Sequence, residues 1–258
     1  MSTDNLPTGG NYPFALIVGG TSGLGLAVTE RLLSAGYQVT TVGRRSAPQG
    51  VARHYVCDLG DCHAWRHTLR HIVENHSEFT VTAFIAGFAR AVSPGDVTPA
   101  ERQLHYRLNA DYVADACAAI SGLWKSGAAV FTVGSQWTYR SGCPWIIPYI
   151  MAKHALLAIT CEMAAATKQR RVRHYCVPTM ATPAYAEVRN SFATLGLGKE
   201  FAQLGLESNL SNPEEVAKAL LKHLVHDDSS SPLWRVRSDY AVLNLPDAHM
   251  PDLSNQWS

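Results

Sequence analysis

The chain has 258 residues, 47% of them apolar and 17% charged, with a formal net charge of +1. That length and composition suit one compact α/β domain, and near-neutrality excludes recruitment of nucleic acid or an anionic membrane by a global field. No apolar run is read as reaching the roughly 20 residues that cross a bilayer, and six cysteines without a CxxC pair exclude a small disulfide scaffold and point to the cytoplasm.

In chain order, residues 1–13 (MSTDNLPTGGNYP) are polar and lack the basic start and apolar core of a signal peptide. They are expected to be a flexible leader, with one domain over 14–258. FALIVGG (14–20) reads as a buried strand and Gly23 to Ala35 as a helix. The turn between them, Gly19-Gly20-Thr21-Ser22-Gly23-Leu24-Gly25, spaces its glycines as GxxxGxG. A sharp turn that brings backbone close to a pyrophosphate, and opens a helix whose free N–H groups face that anion, needs small residues there. Glycines alone often only make a turn, but this position between first strand and first helix favours a nucleotide site.

QVTTVG (38–43) is the second strand and ends in Arg44-Arg45 with no acid. A carboxylate there would accept from the ribose hydroxyls of NAD, whereas guanidiniums suit the 2′-phosphate of NADP. Thr21 or Ser22 could add a hydroxyl. The alternative is that both arginines are solvated surface charges. HYVCD (54–58) closes on Asp58, read either as an acceptor for the adenine amino group or as a local turn cap. Asp61 to Glu74 is helix-like; His63, His67 and His71 share a face, but no carboxylate or cysteine completes a ligand set, so no metal is expected.

TAFIAG (82–87) is the fourth strand, followed by a long helix, Pro99 to Trp124, containing Asn109. Asn109 is expected to disturb that helix and anchor a water near Lys153. AAVFTVGS (128–135) ends on Ser135, whose hydroxyl can hold a substrate oxygen. Tyr149 and Lys153 open the next helix, Tyr149 to Gln169, four residues apart on one face. A lysine cation and the positive nicotinamide of an oxidised cofactor favour phenolate and are expected to lower the phenol's pKa; the protonated phenol can give its proton to a carbonyl oxygen. Trp137 and Trp145 fall between Ser135 and Tyr149, where they would favour a bulky apolar or aromatic substrate. VRHYCVP (172–178) is the sixth strand; a long segment, about 179–211, is expected to cover the substrate, and SNPEEVAKALLKHL begins a late helix capped by Asn212. Apolar strands alternating with helices define the fold class as α/β: a Rossmann-type, doubly wound parallel sheet in three αβα layers.

With Gly19, Gly23, Gly25, Asp58, Asn109, Ser135, Tyr149 and Lys153 at these places, the chain over about 14–226 resembles the short-chain dehydrogenase/reductase family. The resemblance implies a seven-stranded sheet, an Asn–Ser–Tyr–Lys tetrad with Lys153 also on the nicotinamide ribose, and a proton relay through an Asn-held water. It also implies cofactor contacts from Leu24, Leu59, Ala86, Gly87 and Thr182, and a homodimer or homotetramer. Phe84-Ile85-Ala86-Gly87 stands where the family has Asn-Asn-Ala-Gly, Pro178-Thr179 where it has Pro-Gly, and its Asp-Gly-Gly near the last strand is absent. The expected activity is NADP(H)-dependent ketone reduction or alcohol oxidation on a small molecule, with no nucleic-acid or membrane partner. The competing readings are a non-catalytic nucleotide sensor and a sugar-nucleotide epimerase or dehydratase.

Overall fold

The computed structural model describes residues 12–167, 171–205, 207, 210–226 and 231–244. Most of the leader therefore lies outside the described residues, although the Pro13 carbonyl already accepts from Gln38 N at 2.9 Å. Eight strands form one sheet: β1 (Phe14–Val18), β2 (Gln38–Gly43), β3 (Arg53–Val56), β4 (Phe79–Phe84), β5 (Trp124–Ser135), β6 (Arg171–Val177), β7 (Leu233–Val236) and β8 (Val242–Asn244). Their order is β3-β2-β1-β4-β5-β6-β7-β8, and every pairing is parallel except β7 with β8. The expected seven strands thus become eight, because the chain turns back at Tyr240, where φ is 64°, and adds an antiparallel edge.

The helices are α1 (Gly23–Ser34), α2 (Cys62–Asn75), α3 (Pro99–Tyr106), α4 (Tyr112–Ile120), α5 (Ile147–Ala166), α6 (Pro183–Thr194), α7 (Gly198–Gln203) and α8 (Pro213–His226). Alternate strand residues feed opposite cores, which is why the strands read as almost unbroken apolar runs. Ala15 and Ile17 join Leu24, Val28 and Leu32 of α1 and Val216, Leu220 and Leu224 of α8 on one face. Leu16 and Val18 join Trp65 of α2, Tyr112 and Val113 of α4, and Leu156 and Met163 of α5 on the other. Asn212 caps α8 as its sequence predicts, accepting from Glu214 N at 2.7 Å.

The long helix after β4 departs from its expected extent. It is interrupted by a π-helical turn, Arg107–Asp111, and Trp124 belongs to β5 rather than to the helix. Pro144–Ala166 also corrects the reading that no segment could span a bilayer: it is long and apolar enough to do so. In this fold it packs one side inward, with Leu156, Thr160 and Met163 buried and Lys153 on the same buried side, while Ile147 and Met151 are exposed. Because the winding reverses between β1 and β4, the strand ends diverge there and leave a crevice at the C-terminal edge of the sheet.

Candidate active site

A cavity of about 650 Å³ occupies that crevice, running from Arg44, Arg45 and Asp58 past Gly19–Gly25 and Ala86–Gly87 to Ser135, Tyr149 and Lys153. Its first wall is the turn after β1. Gly19 adopts φ +93°, and a Cβ on it would lie 2.5 Å from Ala86 N. A Cβ on Gly25 would lie 1.9 Å from the Gly19 carbonyl oxygen. Backbone therefore crosses backbone at this point, and only glycine permits it. Ser22, the N-cap of α1, makes no side-chain capping bond, and the first turn holds no acid, so the amides of that helix end face the cavity without an internal anion. A phosphate is the ligand such an end suits. We expect Gly25→Ala to lose NADPH binding; a variant that quenches and shifts NADPH fluorescence like the wild type would contradict this account of the turn.

Arg44 and Arg45 are exposed and both line the cavity. His54 Nε2 lies 2.9 Å from the Arg45 carbonyl and His54 Nδ1 lies 2.8 Å from Thr41 Oγ1, which holds the arginine pair at the strand end. Asp58 is the local turn cap of its second sequence reading, its Oδ1 accepting from Gly60 N at 2.9 Å, and it also lines the cavity. Thr21, Leu24, Leu59 and Thr182 line the same space. Thr182 is also the N-cap of α6, accepting from Tyr185 N at 3.3 Å, and it packs over Gly23.

Where the family's paired amides are missing, the segment after β4 is braced from behind. Ile85 N and Ala86 N both donate to the Val18 carbonyl, at 2.9 and 3.0 Å, and Tyr112 Oη donates to the Ala86 carbonyl at 3.0 Å. Asn109 completes the brace. Its Oδ1 accepts from Phe88 N at 3.1 Å, and its Nδ2 donates to the carbonyls of Phe88 at 2.7 Å and His105 at 2.8 Å. Asn109 does disturb its helix, sitting in the π turn. Its side chain does not line the cavity, and both amide protons are committed to backbone, so none is left to donate to a water. Thr179, in place of the family's glycine, accepts from Gln136 Nε2 at 2.7 Å, and its carbonyl accepts from Ser211 N at 2.9 Å, tying down the base of the 179–211 segment.

Ser135, Tyr149 and Lys153 converge at the far end. Lys153 is buried, donates to the Val133 carbonyl at 2.9 Å, and its Nζ lies 5.8 Å from the centre of the Tyr149 ring. Gly87 keeps a place for it: a Cβ there would meet Asn109 Oδ1 at 3.1 Å and Lys153 Nζ at 3.3 Å. Burial pulls Lys153 down to about 8. Burial also pushes Tyr149 up to about 12, a hydrogen bond with Ser135 only partly opposing it. The protein's own groups therefore shift this phenol upward, opposite to what the lysine cation alone would do, because loss of water costs the phenolate more than its neighbours return.

The substrate end is formed by Phe88, Ala89, Trp137, Ile146, Tyr185 and Val188. Trp145 does not line the cavity; its ring packs on Phe192 at 5.9 Å, behind the wall, in the same apolar cluster that holds Trp137, Ile146 and Phe201. Sequence reasoning missed Ile146, Tyr185 and Val188, whose only signal was their position, between Ser135 and Tyr149 for Ile146 and within the expected cover for Tyr185 and Val188. The three helical histidines form no metal site: no group of three or more metal-binding side chains occurs among the described residues, and His71 pairs with Glu74 and His67.

A doubly wound sheet, a glycine turn crossing backbone at the switch point and a Ser–Tyr–Lys group define a dinucleotide-binding oxidoreductase. A family model described as short chain dehydrogenase matches residues 13–191, and the chain belongs to that family, whose members act on CH–OH and C=O groups. Among curated proteins none matches the sequence. It is similar to a solved short chain dehydrogenase family protein from Francisella tularensis, at 23% identity and a TM-score of 0.75 over 89% of this chain and 98% of that one. A short chain dehydrogenase from Burkholderia cenocepacia, solved with NADP, shares 21% identity at a TM-score of 0.69, covering 85% and 92%. One from Burkholderia phymatum, solved with NAD, shares 14% at 0.70, covering 83% and 86%.

Proposed function

We propose that the protein is an NADP(H)-dependent ketoreductase or alcohol dehydrogenase for a bulky apolar or aromatic substrate. The observation that carries this reading is one cavity with Arg44 and Arg45 at its adenosine end, no acid closing β2, and Ser135, Tyr149 and Lys153 at its other end. Solved relatives hold NADP in one case and NAD in another, so the cofactor choice rests on the two guanidiniums. The turn at Gly19–Gly25 and the open end of α1 would hold the pyrophosphate, and Lys153 the nicotinamide ribose. When bound, the nicotinamide supplies or accepts hydride. Ser135 orients the substrate oxygen, and Tyr149, kept protonated by desolvation, gives that oxygen its proton; in oxidation the same phenol takes the proton back. Phe88, Trp137, Ile146 and Val188 exclude water and pack against the apolar body of the substrate.

NADPH titration followed by turnover of a carbonyl panel tests the whole reading: binding without turnover would favour a sensor, and no binding would remove both. Arg44→Ala should raise the NADPH Michaelis constant by roughly tenfold, the scale of one lost charge-assisted contact, and leave NADH almost unchanged. Arg45→Ala shows whether that role is shared. Equal losses with both cofactors would return the arginines to solvated surface charges. By analogy with the family we extend the proposal to a cytoplasmic homodimer or homotetramer; light scattering that returns a monomer would remove the second part.

A further inference from the structure

Directly behind the tetrad lies a buried polar chain that no step above uses. β5 and β6 pair Thr132 with His174 and Gly134 with Cys176. His174 is fully buried, with Nδ1 2.8 Å from Thr132 Oγ1; Thr132 Oγ1 is 2.8 Å from Thr160 Oγ1 on α5. Thr160 Oγ1 in turn donates to the Leu156 carbonyl at 2.8 Å.

Proton counting fixes every direction in this chain. A carbonyl only accepts, so the single hydroxyl proton of Thr160 is committed to Leu156. Thr132 must then donate to Thr160, which leaves it only a lone pair for His174. His174 therefore carries its proton on Nδ1 and leaves Nε2 bare. Nε2 is buried and meets no hydrogen-bonding partner among the described residues. It lies 2.2 Å from where a Cβ on Gly134 would sit, so the ring edge rests on the glycine next to Ser135. Burial first, and the Lys153 cation second, hold the ring far down, at about 3, and so neutral.

Thr132 stands three residues before Ser135, and Thr160 seven residues after Lys153 on the same buried face of α5. The covalent link between β5 and α5 is an irregular segment, 136–146, with two short 3-10 turns, and does not itself fix how the helix sits on the strand. We infer that His174 is a positioning residue for the reaction: its Nδ1–H, through Thr132 and Thr160, sets the register of α5 against β5 and hence the spacing of Tyr149 and Lys153 from Ser135. This rests on the oxidoreductase reading of that site.

His174→Leu keeps bulk and loses the donor; His174→Asn restores an N–H near the Nδ1 position; Thr160→Val cuts the chain on the helix with little change of shape. In the full-length protein with NADPH and a carbonyl that the wild type reduces, His174→Leu and Thr160→Val should each lower kcat about tenfold or more, since small misplacements of reacting groups are costly. NADPH binding and KM should change much less. His174→Asn should recover most of the rate, and the Leu/Val double variant should be no slower than the slower single one. Imidazole ¹⁵N spectra of the wild type should show a neutral ring protonated at Nδ1. Wild-type kcat in Thr160→Val, no recovery in His174→Asn relative to Leu, additive losses, or a ring protonated at Nε2 would each overturn the inference. If His174→Leu fails to fold, Thr160→Val and the spectrum decide it. A wild type inactive on every carbonyl would instead sink the functional reading, and the spectrum would still decide the hydrogen-bond chain.

Discussion

Tyr149→Phe should fold, bind NADPH with near wild-type affinity and reduce carbonyls at least ~100-fold more slowly, the loss typical of a removed positioned acid. The ring is half-buried and its packing survives the change; only the hydroxyl beside Ser135 is lost. Desolvation pushes that phenol up to about 12, so it is protonated across the whole neutral range. Carbonyl reduction, which needs the protonated form, should therefore stay flat through neutrality. Alcohol oxidation needs the phenolate and should climb with pH, and in Tyr149→Phe that climb should disappear. A variant with near-normal turnover, or one that keeps the pH-dependent rise, would remove Tyr149 from the proton-transfer role.

Lys153→Met should all but abolish turnover and weaken NAD(P)H binding while making the protein more stable. The side chain is buried, and desolvation holds it down at about 8, below the 10.5 of a free lysine. Below pH 8 both folded and unfolded chains carry the ammonium, and the folded state bears its full desolvation cost. Between about 8 and 10.5 the folded chain has released the proton and the unfolded chain has not, so wild-type stability rises with pH on this group's account. Methionine removes the cost but leaves the Val133 carbonyl without its donor, a partial offset. The expected net gain at pH 7 is about 1 kcal/mol, or roughly 2–4 °C in Tm. It should narrow as pH rises through 8 towards 10.5. Calorimetry across that window is the test, and a variant less stable than the wild type at pH 7 would show that Lys153 braces the fold rather than straining it.

The cofactor half of the site was legible because its causes are local. Gly25 is demanded by the Gly19 carbonyl six residues back, Gly19 and Gly23 by left-handed backbone within the same turn, and Tyr149 and Lys153 lie one helical turn apart. The strand pattern was equally plain, since burial of both faces writes itself as continuous apolar runs. Longer-range causes were hidden. Asn109 serves the backbone at Phe88, and Tyr112 the carbonyl of Ala86; neither link follows from sequence spacing. Trp145 looked like a pocket residue by position, but turns toward Phe192, 47 residues away. The upward push on the phenol was hidden for a related reason: the charge of Lys153 is visible in a sequence, and the loss of water around Tyr149 is not.

The two halves of the cavity differ in what holds them. The glycine turn and the Ser135–Tyr149–Lys153 group are gripped by strands and core helices, whereas Trp137, Ile146, Tyr185 and Val188 hang on segments outside the sheet and pack with Phe192 and Phe201 in a cluster of their own. Natural variation can therefore rework molecular recognition at the rim while leaving inherited chemistry alone. In the laboratory, residues 136–146 and 179–211 form a graftable cassette: exchanging them between homologues should transplant preference among reactants without disturbing redox capacity.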